Sequence, residues 1–281
     1  MGYRHLDTTY PKVSEPSPKS AIYNRLMRFV DLSMHLDDVI PVDPPFLRPK
    51  IEYKDHIGGL KDMFNMYGIL PEQLPDGQGL AAETVTITTH AGTHVDAPWH
   101  YHPTMNGGEK AWTIDEVPLD WFFRPGVKLD LSHLPSGHLV TPADIDEALA
   151  KINYTLQPLD IVLFYTCAAA AYGKDDFVDT GIGFGREATL HLTNQGIRVV
   201  GTDAWGWDLP IPVNRANFEA TGDPSIVWEG HKAGADVGYC QIEKMRHLDE
   251  LPATGFTVAC FPTKVRGASA GWTRAVAIFN D

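Results

Sequence analysis

The chain has 281 residues, of which 43% are hydrophobic and 21% charged, and its formal net charge is −13 with a sequence pI near 5.3. This composition is ordinary for a globular protein with a sizeable core. The acidity disfavours nucleic acid or an anionic membrane as a partner. We find no signal-peptide core and no run approaching about 18 apolar residues, so no membrane span is predicted.

The three cysteines are Cys167, Cys240 and Cys260, and each lies in an apolar run without forming a C-x-x-C pair. We interpret them as small buried hydrophobic residues and not as a disulfide framework. Free thiols of this kind fit a reducing compartment, so a cytoplasmic location is expected.

The first quarter of the chain is punctuated by proline and glycine. Residues 1–27 predict an N-terminal arm, with a short helix near 21–27 as an option. Residues 28–33 predict the first strand, and the proline-rich stretch 41–49 predicts an extended loop. Residues 50–82 show neither helical nor strand periodicity, and they contain an apolar patch among glycines and prolines that interrupt regular structure. We interpret them as a substrate lid, with a plain structural insertion as the alternative.

A dense cluster of histidines follows the strand predicted at 84–89. His90, His94, Asp96 and His100 all stand at even positions. In an extended path they would share one side, although Gly92 and the proline at 98 are expected to bend the chain. Imidazole nitrogens and carboxylate oxygens bind Zn²⁺ and also suit Mn²⁺ or Fe²⁺, and three protein ligands leave a position open for water.

The spacing of His90 and His94 also resembles the helical zinc-protease signature H-E-x-x-H. The residues between them are Ala91, Gly92 and Thr93, so the glutamate that would act as base is missing. Glycine and threonine favour a strand or turn over a helix. The sequence therefore predicts ligands at the end of a strand that runs into a tight loop.

Strands and helices alternate along the remainder of the chain. The aromatic stretch 121–123 is interpreted as core, with a pocket wall as the alternative. Thr141 and Pro142 supply the cap and first turn of a helix. The predicted elements are strands at 126–131, 160–165, 197–203, 256–261 and 274–279, and helices at 142–152 and 186–195. This order predicts an α/β protein with a mixed sheet covered by helices.

The histidine-rich stretch carries a family resemblance. HAGTHVDAPWH, from His90 to His100, looks like the H-x-G-T-H-x-D-x-P-x-H signature of metal-dependent cyclase-like hydrolases, which include bacterial kynurenine formamidase and isatin hydrolase. The resemblance runs from about Phe29 to Phe279. It implies a barrel-like mixed sheet of the swivelling β/β/α type, one catalytic domain over residues 28–281, and a homodimer or homotetramer.

The resemblance also assigns roles to residues far from the signature. His231 and Glu243 match a second metal-binding region, with Leu251–Phe256 agreeing with the segment that follows it in the family; by composition alone both would be interpreted as exposed polar residues. In the family, a G-x-D segment is commonly followed by a small residue and a serine before a second Asp. Between Asp203 and Asp208, this chain has tryptophan and glycine in their place, with the tryptophans at Trp205 and Trp207. These tryptophans are expected either to line the pocket or to pack in the core.

By resemblance, His90, His94 and Asp96 hold one or two divalent metal ions, Zn²⁺ or Mn²⁺, with His231 and Glu243 completing a second site. A metal-activated water would then attack a formamide, cyclic amide or lactone carbonyl of a small-molecule substrate. His100 is assigned as the general acid and base, with a further metal ligand as the alternative. The other hypotheses are a ring-closing cyclase and a non-catalytic binding module.

Overall fold

A computed structural model describes residues 27–280, and its centre is a nine-stranded mixed sheet. The strands in chain order are β1 Met27–Asp31, β2 Lys50–Lys54, β3 Ala82–Thr86, β4 His94–Asp96, β5 Thr104–Met105, β6 Glu109–Lys110, β7 Phe123–Asp130, β8 Leu139–Val140, β9 Ile161–Tyr165, β10 Gly183–Phe184, β11 Val199–Thr202, β12 Cys240–Glu243, β13 Phe256–Ala259, β14 Ala270–Trp272 and β15 Val276–Asn280.

Within residues 27–280, six α-helices accompany these strands. They are α1 Leu60–Tyr67, α2 Pro98–Tyr101, α3 Pro142–Lys151, α4 Arg186–Thr193, α5 Ile211–Thr221 and α6 Glu229–Lys232. Across the part of the chain that is described, no helix has both the length and the apolarity needed to cross a bilayer.

The large sheet has the order β1-β15-β13-β7-β9-β11-β12-β4-β14. Its middle strands β7, β9, β11 and β12 run parallel, and antiparallel strands flank them on both sides. The prediction of a mixed α/β fold is confirmed. Three smaller two-stranded ladders, β2-β3, β5-β6 and β8-β10, lie outside the large sheet.

The core fills both faces of the parallel strands, and β9 shows why. Ile161 and Leu163 pack into one apolar cluster, whereas Val162 and Phe164 pack into another. A strand covered on both sides needs apolar residues at every position, so its sequence reads as a continuous apolar run.

The predicted helix at 142–152 forms as α3. The side chain of Thr141 accepts a hydrogen bond from the backbone N–H of Asp144, while the Asp144 carboxylate accepts one from the backbone N–H of Thr141. This reciprocal capping box satisfies two backbone donors that the first turn would otherwise leave unpaired.

Residues 50–82 form regular structure that the sequence pattern did not predict. Strands β2 and β3 pair antiparallel with α1 between them, and the β3 residues are all exposed. Helix α1 buries none of its residues in this chain. The predicted arm at 1–27 lies outside the described residues except for Met27, which begins β1.

Asp203 is a buried carboxyl directly after β11, with only 1% of its surface exposed. It accepts hydrogen bonds from the Thr166 backbone N–H at 2.9 Å and from the Thr166 hydroxyl at 2.6 Å. Burial raises the pKa of Asp203 to about 7, and these hydrogen bonds only partly oppose that rise.

We predict that Asp203 makes stability depend on pH. Because its folded-state pKa lies above the ordinary 3.8, folding takes up a proton, and the stabilisation is complete below about pH 4 and lost as the pH rises through about 7. Asp203→Asn should flatten this fall in urea-unfolding free energy measured with chelator present. Exposed Asp175→Asn is the control and should keep the wild-type slope. Equal slopes in all three proteins would contradict the prediction.

Candidate metal centre

Strand pairing brings the first three polar side chains of the site together. His94 and Asp96 lie two residues apart in β4, so both point to the same face of the sheet. In the neighbouring antiparallel strand, Glu243 is the direct register partner of His94. Directly opposed residues of an antiparallel pair project from the same face. The sheet register therefore gathers two carboxylates and an imidazole in one buried place.

His90 reaches this place through a turn and not through an extended strand. Gly92 adopts a φ of +64°, and a Cβ there would lie 2.5 Å from Leu36 Cδ2, so only glycine fits the turn comfortably. His90 Nδ1 lies 2.9 Å from Asp96 Oδ1. The extended path considered from the even spacing holds only for His94 and Asp96.

His100 enters from a short helix. Pro98 begins α2, and its fixed φ suits the first helical position. His100 Nε2 then lies 3.8 Å from Asp96 Oδ2. A four-residue separation places the two side chains close together because the chain turns at the proline.

The two distant residues also reach the cluster. His231, on α6, has Nε2 at 3.8 Å from Asp96 Oδ2 and at 3.7 Å from Glu243 Oε1. Glu243 Oε2 lies 3.6 Å from His94 Nε2. The six residues predicted as ligands or catalytic groups thus form one cluster, with Asp96 at its centre.

Among the residues whose structure is described, two overlapping triads have the geometry to hold a metal ion. In each, one ligand atom per residue lies within 4.8 Å of the others; the triads are His90, His94 and Asp96, and Asp96, His100 and His231. Both oxygens of Asp96 and Nε2 of His94 are buried without a hydrogen bond among the described residues. Buried polar atoms are rarely left unpaired. The set therefore fits a divalent cation that accepts nitrogen and oxygen donors.

The ring nitrogens that face away from the cluster are held by other groups. His94 Nδ1 donates to the Gly92 carbonyl at 2.9 Å, which leaves its Nε2 lone pair facing Asp96. His90 Nε2 lies 2.9 Å from the Ser269 hydroxyl. Such outer hydrogen bonds orient the imidazoles of metal sites and fix their tautomers.

Asp208 orients the imidazole of His231 in the same way. One of its oxygens contacts His231 Nδ1 and accepts the His231 backbone N–H at 3.1 Å, and the other accepts the Gly230 N–H at 2.7 Å. The sequence analysis gave Asp208 no role. The only available signal was its place as the second aspartate after the G-x-D segment.

The pKa shifts follow from burial and close contact. Burial would raise the pKa of Asp96, but His94 and His100 hold it well below its usual value. Burial and the adjacent Asp96 charge raise the pKa of Glu243. Burial lowers the pKa of His100 to about 4, so its imidazole is neutral at pH 7.

His231 shifts in the opposite direction. Burial alone would lower the pKa of His231, but its contact with Asp208 raises it to about 9. A carboxylate on Nδ1 strengthens the basicity of the other ring nitrogen, which benefits a metal ligand.

A buried ion pair ties the ligand-bearing loops together. Lys244 Nζ lies 2.5 Å from Asp43 Oδ1 and donates to the His90 carbonyl at 2.8 Å. Asp43 also accepts hydrogen bonds from Trp205 Nε1 at 3.0 Å and from the Gly92 N–H at 3.3 Å. Sequence reasoning missed this pair because its members are 201 positions apart and neither belongs to a motif.

A cleft of about 250 Å³ opens beside the cluster, and His90, His100, His231 and Glu243 form part of its wall. Residues Trp205 and Trp207 also border it. However, Trp207 is fully buried, its ring stacks on Phe184, and its backbone N–H donates to Glu243 Oε1 at 3.1 Å. Trp207 thus packs in the core through its ring and positions the Glu243 carboxylate through its backbone.

Trp228 is a cleft residue that the sequence analysis did not identify. It is 44% exposed, and its indole stacks on His231 with ring centroids 4.7 Å apart.

Other aromatic and histidine residues near the motif lie outside the cluster. His102 is exposed, and its Nδ1 is hydrogen-bonded to the Thr104 carbonyl. Phe122 is fully buried in the core, whereas Phe123 is exposed and stacks on Phe261.

Comparison with known proteins identifies the family of the chain. The family model described as "Putative cyclase" matches residues 30–209. A kynurenine formamidase of Salinibacter ruber is 27% identical over 194 residues, which cover 69% of this chain and 77% of that protein.

Solved structures resemble the fold over nearly the whole chain. An isatin hydrolase bound to the product analogue thioisatinate has a TM-score of 0.71 at 18% identity, covering 95% of this chain and 100% of its own. Isatin hydrolase A from Ralstonia solanacearum has a TM-score of 0.70 at 19% identity, with coverage of 96% and 100%.

We predict that Lys244→Met destabilises the chain by about 3–5 kcal/mol, because it leaves the buried Asp43 carboxylate unpaired. Adding Asp43→Asn should recover most of this loss. The measurement is urea unfolding with chelator present. Lys50→Met is the control, since its ion pair with Glu52 is exposed and should contribute within about 0.5 kcal/mol. A Lys244→Met protein as stable as this control would contradict the prediction.

Proposed function

Because the chain belongs to the Cyclase family, we propose that it is a metal-dependent hydrolase that cleaves the carbonyl–nitrogen bond of formamides or cyclic amides, with lactones as further substrates. The observation that carries the proposal is the convergence of ligand atoms on the unpaired carboxylate of Asp96. The kynurenine formamidase and isatin hydrolase names of the similar proteins support the substrate class.

The metal we propose is Zn²⁺ or Mn²⁺, since both accept nitrogen and oxygen donors. His90, His94 and Asp96 would hold one ion, and Asp96, His231 and Glu243 would hold a second. An ion held there supplies Lewis acidity and an activated water for attack on a carbonyl. Its first ligands, His94 and Asp96, are oriented by the sheet, which keeps the site rigid.

His100 is proposed as the group that moves the proton to the departing nitrogen or oxygen. Its ring borders the cleft, and its low pKa leaves it neutral and able to accept a proton. The alternative, that His100 is a metal ligand, is supported by its membership of the second triad. The two roles predict different results for the same variant.

The deciding experiment measures metal content by elemental analysis together with turnover of formanilides, cyclic amides and lactones. We expect the wild type to hold one or two equivalents of zinc or manganese and His94→Ala to lose them. His100→Ala should keep the metal and lose about 10²–10⁴-fold in kcat. Exposed His102→Ala is the matched control and should behave as wild type.

Three outcomes would contradict these expectations. Loss of metal in His100→Ala would make His100 a ligand. A wild type that contains no metal, and that gains neither bound metal nor turnover when Zn²⁺ or Mn²⁺ is added, would refute the proposed function. A fully loaded enzyme that turns over none of the substrates would favour a binding module instead.

We also propose that the chain forms a homo-oligomer through residues 50–86. In this segment the exposed apolar side chains are Tyr53, Ile57, Phe64, Met66, Tyr67, Leu70, Leu80 and Val85. An ordered hairpin with so many uncovered apolar residues is typical of an interface. None of its residues borders the described cleft, so the lid role stays a prediction.

Light scattering coupled to size-exclusion chromatography tests this oligomer. We expect a dimer or tetramer for the wild type and a shift toward monomer for Phe64→Asp, because a charge in an apolar interface is costly to desolvate. Exposed Glu219→Lys, on α5 and outside this segment, is the control and should keep the assembly. A monomeric wild type would refute the oligomer.

The compartment we propose is the cytoplasm. Cys167, Cys240 and Cys260 are free thiols, and two of them are buried. Free thiols are usual where the environment is reducing. Fractionation of the native host, with the protein followed by antibody, tests this location.

A further inference from the structure

We propose that the substrate is electrically neutral outside its reacting carbonyl, so that the enzyme rejects acyl compounds carrying an ionised carboxylate or an ammonium group. This inference rests on the proposed function and concerns the remainder of the same cleft. It follows from the charges that the cleft wall offers and from the partners that already occupy them.

The wall beyond the metal cluster is mainly apolar. The side chains that build it include Leu47, Val178, Ile182, Leu209, Pro210 and Ile211. Its uncharged hydroxyls come from Thr88 and Thr180. Ile211 is 46% exposed at the start of α5, and Trp228 is 44% exposed, so both stand where solvent meets the cleft.

Among the described wall residues, Lys244 is the one lysine, and there is no arginine. Its ammonium group is committed to Asp43 at 2.5 Å and to the His90 carbonyl at 2.8 Å, and its side chain is 1% exposed. A substrate carboxylate would have to displace Asp43 from this pair. The cleft therefore offers no free lysine or arginine to an anionic substituent.

The acidic wall residues are committed as well. Asp208 is bound by the Gly230 and His231 backbone N–H groups and by the His231 ring. Glu243 faces His94 and His231 inside the cluster. A substrate ammonium would therefore meet apolar side chains and imidazoles. Burying an ion without a partner is costly, whereas a neutral ring gains from the apolar wall.

The test compares substrates that differ only in charge. The first set is 4-formamidobenzamide against 4-formamidobenzoate, read as formate release, and the second is isatin-5-carboxamide against isatin-5-carboxylate, read as ring opening. We expect the neutral member of the reacting pair to have a kcat/KM higher by roughly 100-fold or more. A formanilide bearing a 4-aminomethyl group tests the cationic case and should react as poorly as the acid.

A gain-of-function variant tests whether charge, and not the size of the substituent, causes the poor turnover of the acid. Ile211→Arg places a free guanidinium at the cleft mouth, and we expect it to raise the acid-to-amide ratio of kcat/KM by about 10-fold. Ile211→Gln, polar but uncharged, is the matched control and should leave that ratio unchanged.

The outcomes separate the inference from the function on which it rests. Equal or better turnover of the acid by the wild type would overturn the inference while leaving the hydrolase intact. Arg48, which follows the wall residue Leu47 and whose Nε donates to the Asp43 carbonyl at 2.9 Å, would then be the first cation to replace by alanine. No turnover of any member by metal-loaded protein would overturn the proposed function, and the inference with it.

Discussion

The site depends on one buried carboxylate, that of Asp96, whose oxygens accept no hydrogen bond from the part of the chain that the structure describes. Both oxygens of Asp96 are shielded from water and face imidazole nitrogens. An ionised group in that position is stable only when positive charge surrounds it. Asp96 lies in β4, which is hydrogen-bonded to a neighbouring strand on each side. Its backbone therefore cannot shift to bring the carboxylate into water. The surrounding histidines lie where they can stabilise this charge, and a divalent ion bound between them would stabilise it further.

A second set of contacts keeps those histidines in place. Each ring that faces Asp96 through one nitrogen and is held through the other has lost the freedom to rotate, as His94 shows with the Gly92 carbonyl. The Lys244–Asp43 pair extends this constraint to the backbone around His90 and Gly92. Among the described residues that line the cleft, Lys244 is the only lysine, and the ion pair occupies it. The same contact therefore holds the site rigid and leaves the wall without a free ammonium group.

Local sequence predicted the elements whose signals are local. The capping box at Thr141 and the doubly covered strand β9 both formed because their causes lie within a few residues. The region 50–82 was predicted less well, since its strands are held by pairing across about 30 positions and carry no apolar alternation toward this chain's own core. Its glycines end helix α1 and shape the connecting loop, and they did not prevent regular structure.

The sequence by itself determined the chemistry of the site: the ligand types of the H-x-G-T-H-x-D motif, and, through family resemblance, the two distant residues His231 and Glu243. Tertiary structure decided how these residues meet, because the register of β12 against β4 and the turns at Gly92 and Pro98 set their directions. It also decided which partners hold them, as with Asp208 and the Lys244–Asp43 pair. Contacts across tens or hundreds of positions arise from packing and leave no periodic signal in the chain.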